Sequence, residues 1–138
     1  DYRMLIQKDG QGRWTVTGMA GRIGAKSSIT SNLHGGGRAV SADKLLQYWI
    51  GSKYSVSDIK DEAAKLAFNI VNVLESHYGK LCELALDLAI DRKGRVWLLE
   101  INPKPAREVF KNIGKKEIYA RSIRLPLEYA MWLWNKEK

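Results

Sequence analysis

Short apolar alternations open the chain. Tyr2-Arg-Met-Leu-Ile-Gln and Trp14-Thr-Val-Thr-Gly-Met flank the Gly-rich stretch Lys8-Asp-Gly-Gln-Gly-Arg13, which predicts a β-hairpin. Gly21 to Gly37 shows no sustained period and collects Ser27, Ser28, Thr30, Ser31 and Asn32, so a long polar loop is expected. Ser41 is placed to cap a short helix, Ala42 to Ile50, closed by Gly51. Ser55 or Ser57 can cap a longer one, whose apolar stripe runs through Ile59, Ala63, Leu66, Ala67, Ile70, Val73 and Leu74 and stops at Tyr78-Gly79. Two further strands, Leu81 to Ile90 and Val96 to Asn102, are joined by Asp91-Arg-Lys-Gly94, whose glycine suits a tight turn. The last third starts at Pro103-Lys-Pro105 and turns basic and aromatic, with Tyr129, Trp132 and Trp134; Pro126 should start or kink a final helix there. The order of elements predicts a single α+β domain, an antiparallel sheet with helices packed on one face.

Composition adds little beyond foldability. The 138 residues suffice for one core, and 45% hydrophobic with 28% charged residues is ordinary for a globular chain. Cys82 is the single cysteine, so no internal disulfide forms. No apolar run approaches the ~18 residues that cross a bilayer, and Asp1-Tyr-Arg is neither a signal peptide nor a lipidation pattern, which together read as cytoplasmic with no membrane partner. The net charge of +8 changes the picture more. Residues 1–46 hold seven Lys/Arg against three acids and residues 103–138 nine against four, while residues 47–102 hold seven against eight. Two basic ends around an acidic centre could follow a nucleic-acid backbone or frame a site for nucleotide phosphates and an acidic substrate. Paired Cys/His spacings, RNP-like aromatic runs and helix-turn-helix patterns are all missing, which argues against nucleic acid.

Candidate chemistry concentrates in Leu84-Ala-Leu-Asp87-Leu-Ala-Ile-Asp-Arg-Lys-Gly-Arg-Val-Trp-Leu-Leu-Glu100-Ile-Asn102. If the hairpin closes with Asp91 opposite Gly94, Asp87 lies opposite Leu98 and Glu100 is its diagonal neighbour on the same face, shared with Asn102. Two carboxylates and an amide so close repel unless a cation sits among them, and Mg²⁺ takes such hard oxygen donors together with phosphate and water. Leu84, Leu86, Leu88 and Ile90 on the other face would pack on the Ile59–Leu74 helix. By spacing alone, the alternative is an acid at a strand edge paired with a nearby Lys or Arg.

The stretch resembles the C-terminal half of ATP-grasp enzymes, in which an Asp on one strand and a Glu-x-Asn on the next hold magnesium under the ATP phosphates. Asp1-Tyr-Arg3-Met-Leu-Ile-Gln looks like that family's Asp-x-Arg strand, and Gly21-Arg22-Ile to Asn32-Leu-His-Gly35-Gly36-Gly37 is similar to its Arg-containing loop with a Gly pair. The whole sequence, including Asn102-Pro-Lys-Pro-Ala-Arg-Glu-Val-Phe-Lys111 and Arg121-Ser-Ile-Arg-Leu-Pro-Leu-Glu-Tyr-Ala130, resembles the YheC/YheD endospore coat-associated ATP-grasp proteins. The resemblance implies ATP and one or two Mg²⁺ as cofactors and assigns Asp87, Glu100 and Asn102 to the metal. It gives Arg3 and Arg22 to the transferring phosphate, and Asn32 with the Gly35, Gly36 and Gly37 backbone to a loop over the phosphates. His34 is expected as an exposed bystander, while Lys104 and Arg107 either touch substrate or are solvated. The implied activity is a carboxylate-amine ligase working through an acyl-phosphate. The adenine-binding lobe of such enzymes precedes the Asp-x-Arg strand, so the missing N-terminal lobe is expected in the same or a separate chain, with these residues inactive alone. The rivals are a non-catalytic spore-coat or assembly module and a basic nucleic-acid-binding domain.

Overall fold

The computed structural model describes residues 1–24 and 37–138. Five antiparallel strands form one sheet in the order β3-β2-β1-β4-β5: β1 (Tyr2–Lys8), β2 (Trp14–Ile23), β3 (Arg38–Ser41), β4 (Glu83–Ile90) and β5 (Val96–Asn102). Four helices accompany it, α1 (Ala42–Ile50), α2 (Val56–Tyr78), α3 (Glu108–Asn112) and α4 (Lys116–Lys136). The α+β class and the antiparallel sheet are as the sequence predicts.

Two hairpin turns with one design set the sheet. In Asp9-Gly-Gln-Gly-Arg13 the Asp9 carboxylate accepts from the N–H groups of Gln11 and Arg13, and in Asp91-Arg-Lys-Gly-Arg95 the Asp91 carboxylate accepts from those of Lys93 and Arg95. Each turn ends on a glycine in the left-handed region, Gly12 at φ 75° and Gly94 at φ 78°, where a side chain is disfavoured.

Period-2 alternation divides β1 and β4 between the faces. Even-numbered residues Tyr2, Met4, Ile6, Leu84, Leu86, Leu88 and Ile90 meet Leu46 of α1 and Ile59, Ala63, Ala67 and Val71 of α2 in the main core. Ser55 caps α2, accepting from the Asp58 N–H. The stripe of α2 differs from expectation at one turn. Residues 59, 63, 67 and 71 follow the i+4 run into the core, whereas Val73 stands off that line and is exposed. On the opposite face a smaller cluster joins Leu5 and Ala20 to Val109 and Phe110, with Ile118 and Tyr119 against it. Gly18 makes that approach possible, because a Cβ there would lie 2.5 Å from the Ile118 side chain. Helices α3 and α4 thus cover part of the second face in addition to the α1/α2 layer on the first.

Three local details differ from expectation. Strand β2 continues through Gly21, Arg22 and Ile23, residues the aperiodic pattern assigned to the loop, because Ile23 pairs with Arg38 of the unforeseen short strand β3. Ser41 precedes α1 but makes no side-chain cap bond. Pro126 lies inside α4 and does not open it. Its missing N–H leaves the Ser122 carbonyl without the usual helical donor, and that oxygen accepts instead from Gln7 Nε2 at 2.8 Å and Arg107 Nε at 3.1 Å. The helix is thereby tied to β1 through a buried amide. Among the described residues no helix is long and apolar enough to cross a membrane.

Candidate metal and phosphate site

Odd-numbered residues of β1 and β4 point to the second face, where rows can be followed across the sheet. The row Gln7–Glu83 is closed by α4 and Arg107, the next row, Leu5–Ala85, is covered by the Phe110 cluster, and beyond it Arg3–Asp87 is where helical cover ends. Arg3 and Asp87 are direct cross-strand partners. Arg3 donates through Nε to Asp87 Oδ1 at 3.0 Å and through Nη2 to Oδ2 at 3.2 Å, a two-pronged fit of guanidinium to carboxylate. Arg22 reaches the same carboxylate, Nη2 to Oδ2 at 3.0 Å, while gripping Asp1 with Nε to Oδ1 at 3.1 Å and Nη2 to Oδ2 at 2.7 Å. Asp87 is buried and both arginine side chains are 12% exposed, so these charges interact with little screening.

On the far side of Asp87 stands Glu100, its direct partner in β5, with Asn102 opposite Ala85. The pairing differs from the expected diagonal, and two irregularities account for it. The turn closes between Asp91 and Arg95, one residue later than Asp91–Gly94, and that register alone would turn Glu100 away from Asp87. A bulge at Leu99 inserts one extra residue in β5 and restores Glu100 to the face of Asp87. The three residues assigned to metal therefore share a face. Glu100 is exposed and has no hydrogen-bond or ion-pair partner among the described residues, and Asn102 is half-buried. Among the described residues no three His, Cys, Asp or Glu side chains come together, so the donor set is two carboxylates and one amide. That set suits a hard cation that takes its remaining ligands from phosphate or water better than a soft one that needs a closed cage.

The closure of the turn at Arg95 puts Trp97 on the site face, since it pairs with Ala89, two residues along β4 from Asp87. Its indole is 53% exposed and donates to Asp91, whose carboxyl is held down at about 2 by that hydrogen bond and by the backbone N–H groups of Arg95 and Lys93. Simple alternation separates positions 97 and 100, so the sequence carried no signal for Trp97. Nothing in the sequence pattern marks Asp1 as the partner of Arg22. Arg107 is half-buried and engaged within the chain. Its guanidinium grips both oxygens of Glu83 and the carbonyls of Ser122 and Pro105, bracing the turn that follows Asn102, whereas Lys104 is exposed. Of the expected phosphate loop, Gly37 directly precedes β3, and Asn32, His34, Gly35 and Gly36, with the Ser27–Gly37 loop expected between the strands, lie outside the described residues except for Gly37.

The sequence is 33% identical over 137 residues to the endospore coat-associated protein YheD of Bacillus subtilis, covering 99% of this chain and 29% of that protein. It is 30% identical over 140 residues to YheC of the same organism, covering 99% of this chain and 37% of that one. The chain thus spans about a third of the length of these relatives, and no solved structure matches it significantly. The family model described as YheC/D-like ATP-grasp matches residues 1–133, and the chain belongs to that family.

Proposed function

We propose that the face bearing Arg3, Arg22, Asp87, Glu100 and Asn102 is the magnesium- and phosphate-binding part of an ATP-dependent carboxylate-amine ligase. The observation that carries this reading is one cross-strand row in which Asp87 is shared by two guanidiniums and faces a second carboxylate that has no partner among the described residues. A site for a phosphate beside a divalent cation needs both signs of charge within a few ångströms. Asp87, Glu100 and Asn102 would hold one or two Mg²⁺, which when bound neutralises charge on a phosphoryl group in transfer. Arg3 and Arg22 are the anion-binding residues. A phosphate competes for the same guanidinium forks that Asp87 now occupies, and as it takes them the lone pairs of Asp87 become free for another partner.

In the intact ligase the γ-phosphoryl of ATP passes to a substrate carboxylate oxygen, leaving ADP, and an amine then displaces phosphate from the acyl-phosphate. Asn32 and the backbone N–H groups of Gly35, Gly36 and Gly37 would cover the phosphates. The work of these side chains is positioning and charge compensation, and none need form a covalent bond. We place the adenine-binding lobe outside residues 1–138, in the same or a separate chain, so that these residues alone bind ATP weakly and release no ADP. The names of the relatives suggest association with the spore coat.

The test is Mg-dependent ADP release, with candidate carboxylates, by residues 1–138 and by a longer chain carrying the adenine lobe, each with Asp87→Asn and Glu100→Gln. Turnover by the longer chain, lost in both variants, is expected. Full activity in both variants would end the metal assignment, turnover by residues 1–138 alone would end the placement of the adenine lobe, and no turnover in any longer chain would favour a coat or assembly module without catalysis.

A further inference from the structure

Helix α4 is apolar on two sides, and the fold uses one. Ser122, Leu125 and Tyr129 are buried against the sheet. The outward side carries Ile123 (45% exposed), Leu127 (63%), Met131 (66%) and Trp134 (67%), with Ala120 and Ala130 exposed beside them. Along that side residues 120, 123, 127, 130 and 134 recur at alternating spacings of three and four, the seam of a helix that packs lengthwise on another helix. Monomeric proteins seldom leave such contiguous apolar surface uncovered.

We infer that this seam pairs with the same seam of a second copy of the chain, the two α4 helices running antiparallel about a twofold axis. The charges beside the seam favour this occupant. In a twofold antiparallel pair each flank meets the same flank of the partner, reversed in direction. One flank of α4 carries Glu117 near its start, Arg124 and Glu128 near its middle and Lys138 just past its end. Reversal brings Glu117 of each copy near Lys138 of the other and sets the Arg124–Glu128 pair, Nε to Oε1 at 2.9 Å within one helix, against its own copy with opposite charges adjacent. Both matches need nearly the same register, because positions 124 and 128 and positions 117 and 138 are centred within two residues of each other. Antiparallel helix dipoles add to the attraction. A pairing along this length would bury on the order of 1,000 Å², the lower bound for a specific interface. The seam uses none of Arg3, Arg22, Asp87, Glu100 or Asn102, so the dimer does not depend on the proposed ligase activity.

Sedimentation equilibrium of the 138-residue chain at tens of micromolar tests the inference. The expected result is a dimer that Leu127→Glu converts to a monomer with unchanged far-ultraviolet circular dichroism. Glu117→Lys should weaken the dimer at least several-fold at low salt, and adding Lys138→Glu should restore it. A monomer for the unaltered chain, a dimer indifferent to Leu127→Glu, or a charge exchange without rescue would each overturn the proposal. So would a monomer that binds phosphatidylserine vesicles through Leu127, which would assign the seam to an anionic lipid surface.

Discussion

Strand β1 carries two basic residues five positions apart, Lys8 buried and Arg3 half-buried, and their surroundings differ in how fully their charges are matched. Lys8, on the α1/α2 face, donates to Glu75 and to the Tyr129 hydroxyl, with the Trp14 and Tyr129 rings each 5.1 Å from its Nζ. Glu75 accepts also from the Trp14 indole and the Leu81 N–H. Burial opposes the charge on Lys8, yet the hydrogen bonds and charge of Glu75 and Tyr129 outweigh it and raise its pKa. Burial likewise opposes the charge on Glu75, but bonds from Lys8, Leu81 and Trp14 prevail and lower its pKa. One cation meets one anion, and each also holds neutral partners. Arg3, on the other face, belongs to a network of two guanidiniums and two carboxylates in which Asp87 is shared, and Glu100, opposite Asp87 in β5, has no partner among the described residues. Structural pairs are saturated, whereas a site for ligands keeps charge in reserve.

The contrast can be broken at its strongest point. Glu75→Ala leaves Lys8 buried without its counter-charge and should cost about 3 kcal/mol of stability, seen as a lower urea midpoint at unchanged slope. Asp87→Asn should cost less, roughly 2 kcal/mol, because Arg22 keeps Asp1 and the helical cover ends at this row. Inorganic phosphate should recover part of that loss in the variant by occupying the freed guanidiniums, and a loss unaffected by phosphate would show that Arg3 and Arg22 do not bind anions.

A pH series sharpens the comparison further. Because the pKa of Glu75 is lowered on folding, its contribution is fully present above the usual carboxylate value of 4.5 and is lost as pH falls through the folded value. The raised pKa of Lys8 makes its contribution complete below 10.5 and lost as pH rises through the folded value. Glu75→Gln should therefore flatten the decline of stability below pH 4.5, measured by denaturant titration at each pH; an unchanged decline would remove Glu75 from the account. The smallest effect is expected at the reserve residue. Glu100→Gln should change stability by no more than about 0.5 kcal/mol, as for an exposed side chain without partners, while weakening Mg²⁺ binding followed calorimetrically in the presence of ATP. A large loss of stability there would mean that Glu100 is structural.

Local pattern sufficed wherever one period ran unbroken. Leu84, Leu86, Leu88 and Ile90 announced the buried side of β4, and the i+4 run from Ile59 to Ala67 the buried side of α2, because a face that must leave water imposes its spacing on the sequence. Asp87, Glu100 and Asn102 do share a face as expected, but only because the later turn closure and the bulge at Leu99 offset each other, and the actual pairing is direct where a diagonal was expected. Chain order alone could not supply the rest, for each missing piece depends on contact between distant segments. The closure of the turn at Arg95 decides that Trp97 joins the site face and the bulge at Leu99 that Glu100 does, and no composition rule marks either. Arg22 became part of a strand because β3 pairs with its neighbours, and Asp1 became its partner because β1 and β2 lie side by side. Arg107 was drawn to Glu83 and to a carbonyl that Pro126 leaves open nineteen positions further on. Periodicity, a property of the backbone, fixes which side of an element is apolar; which charges meet depends on register and on helices that arrive from elsewhere in the chain, and that only the tertiary structure decided.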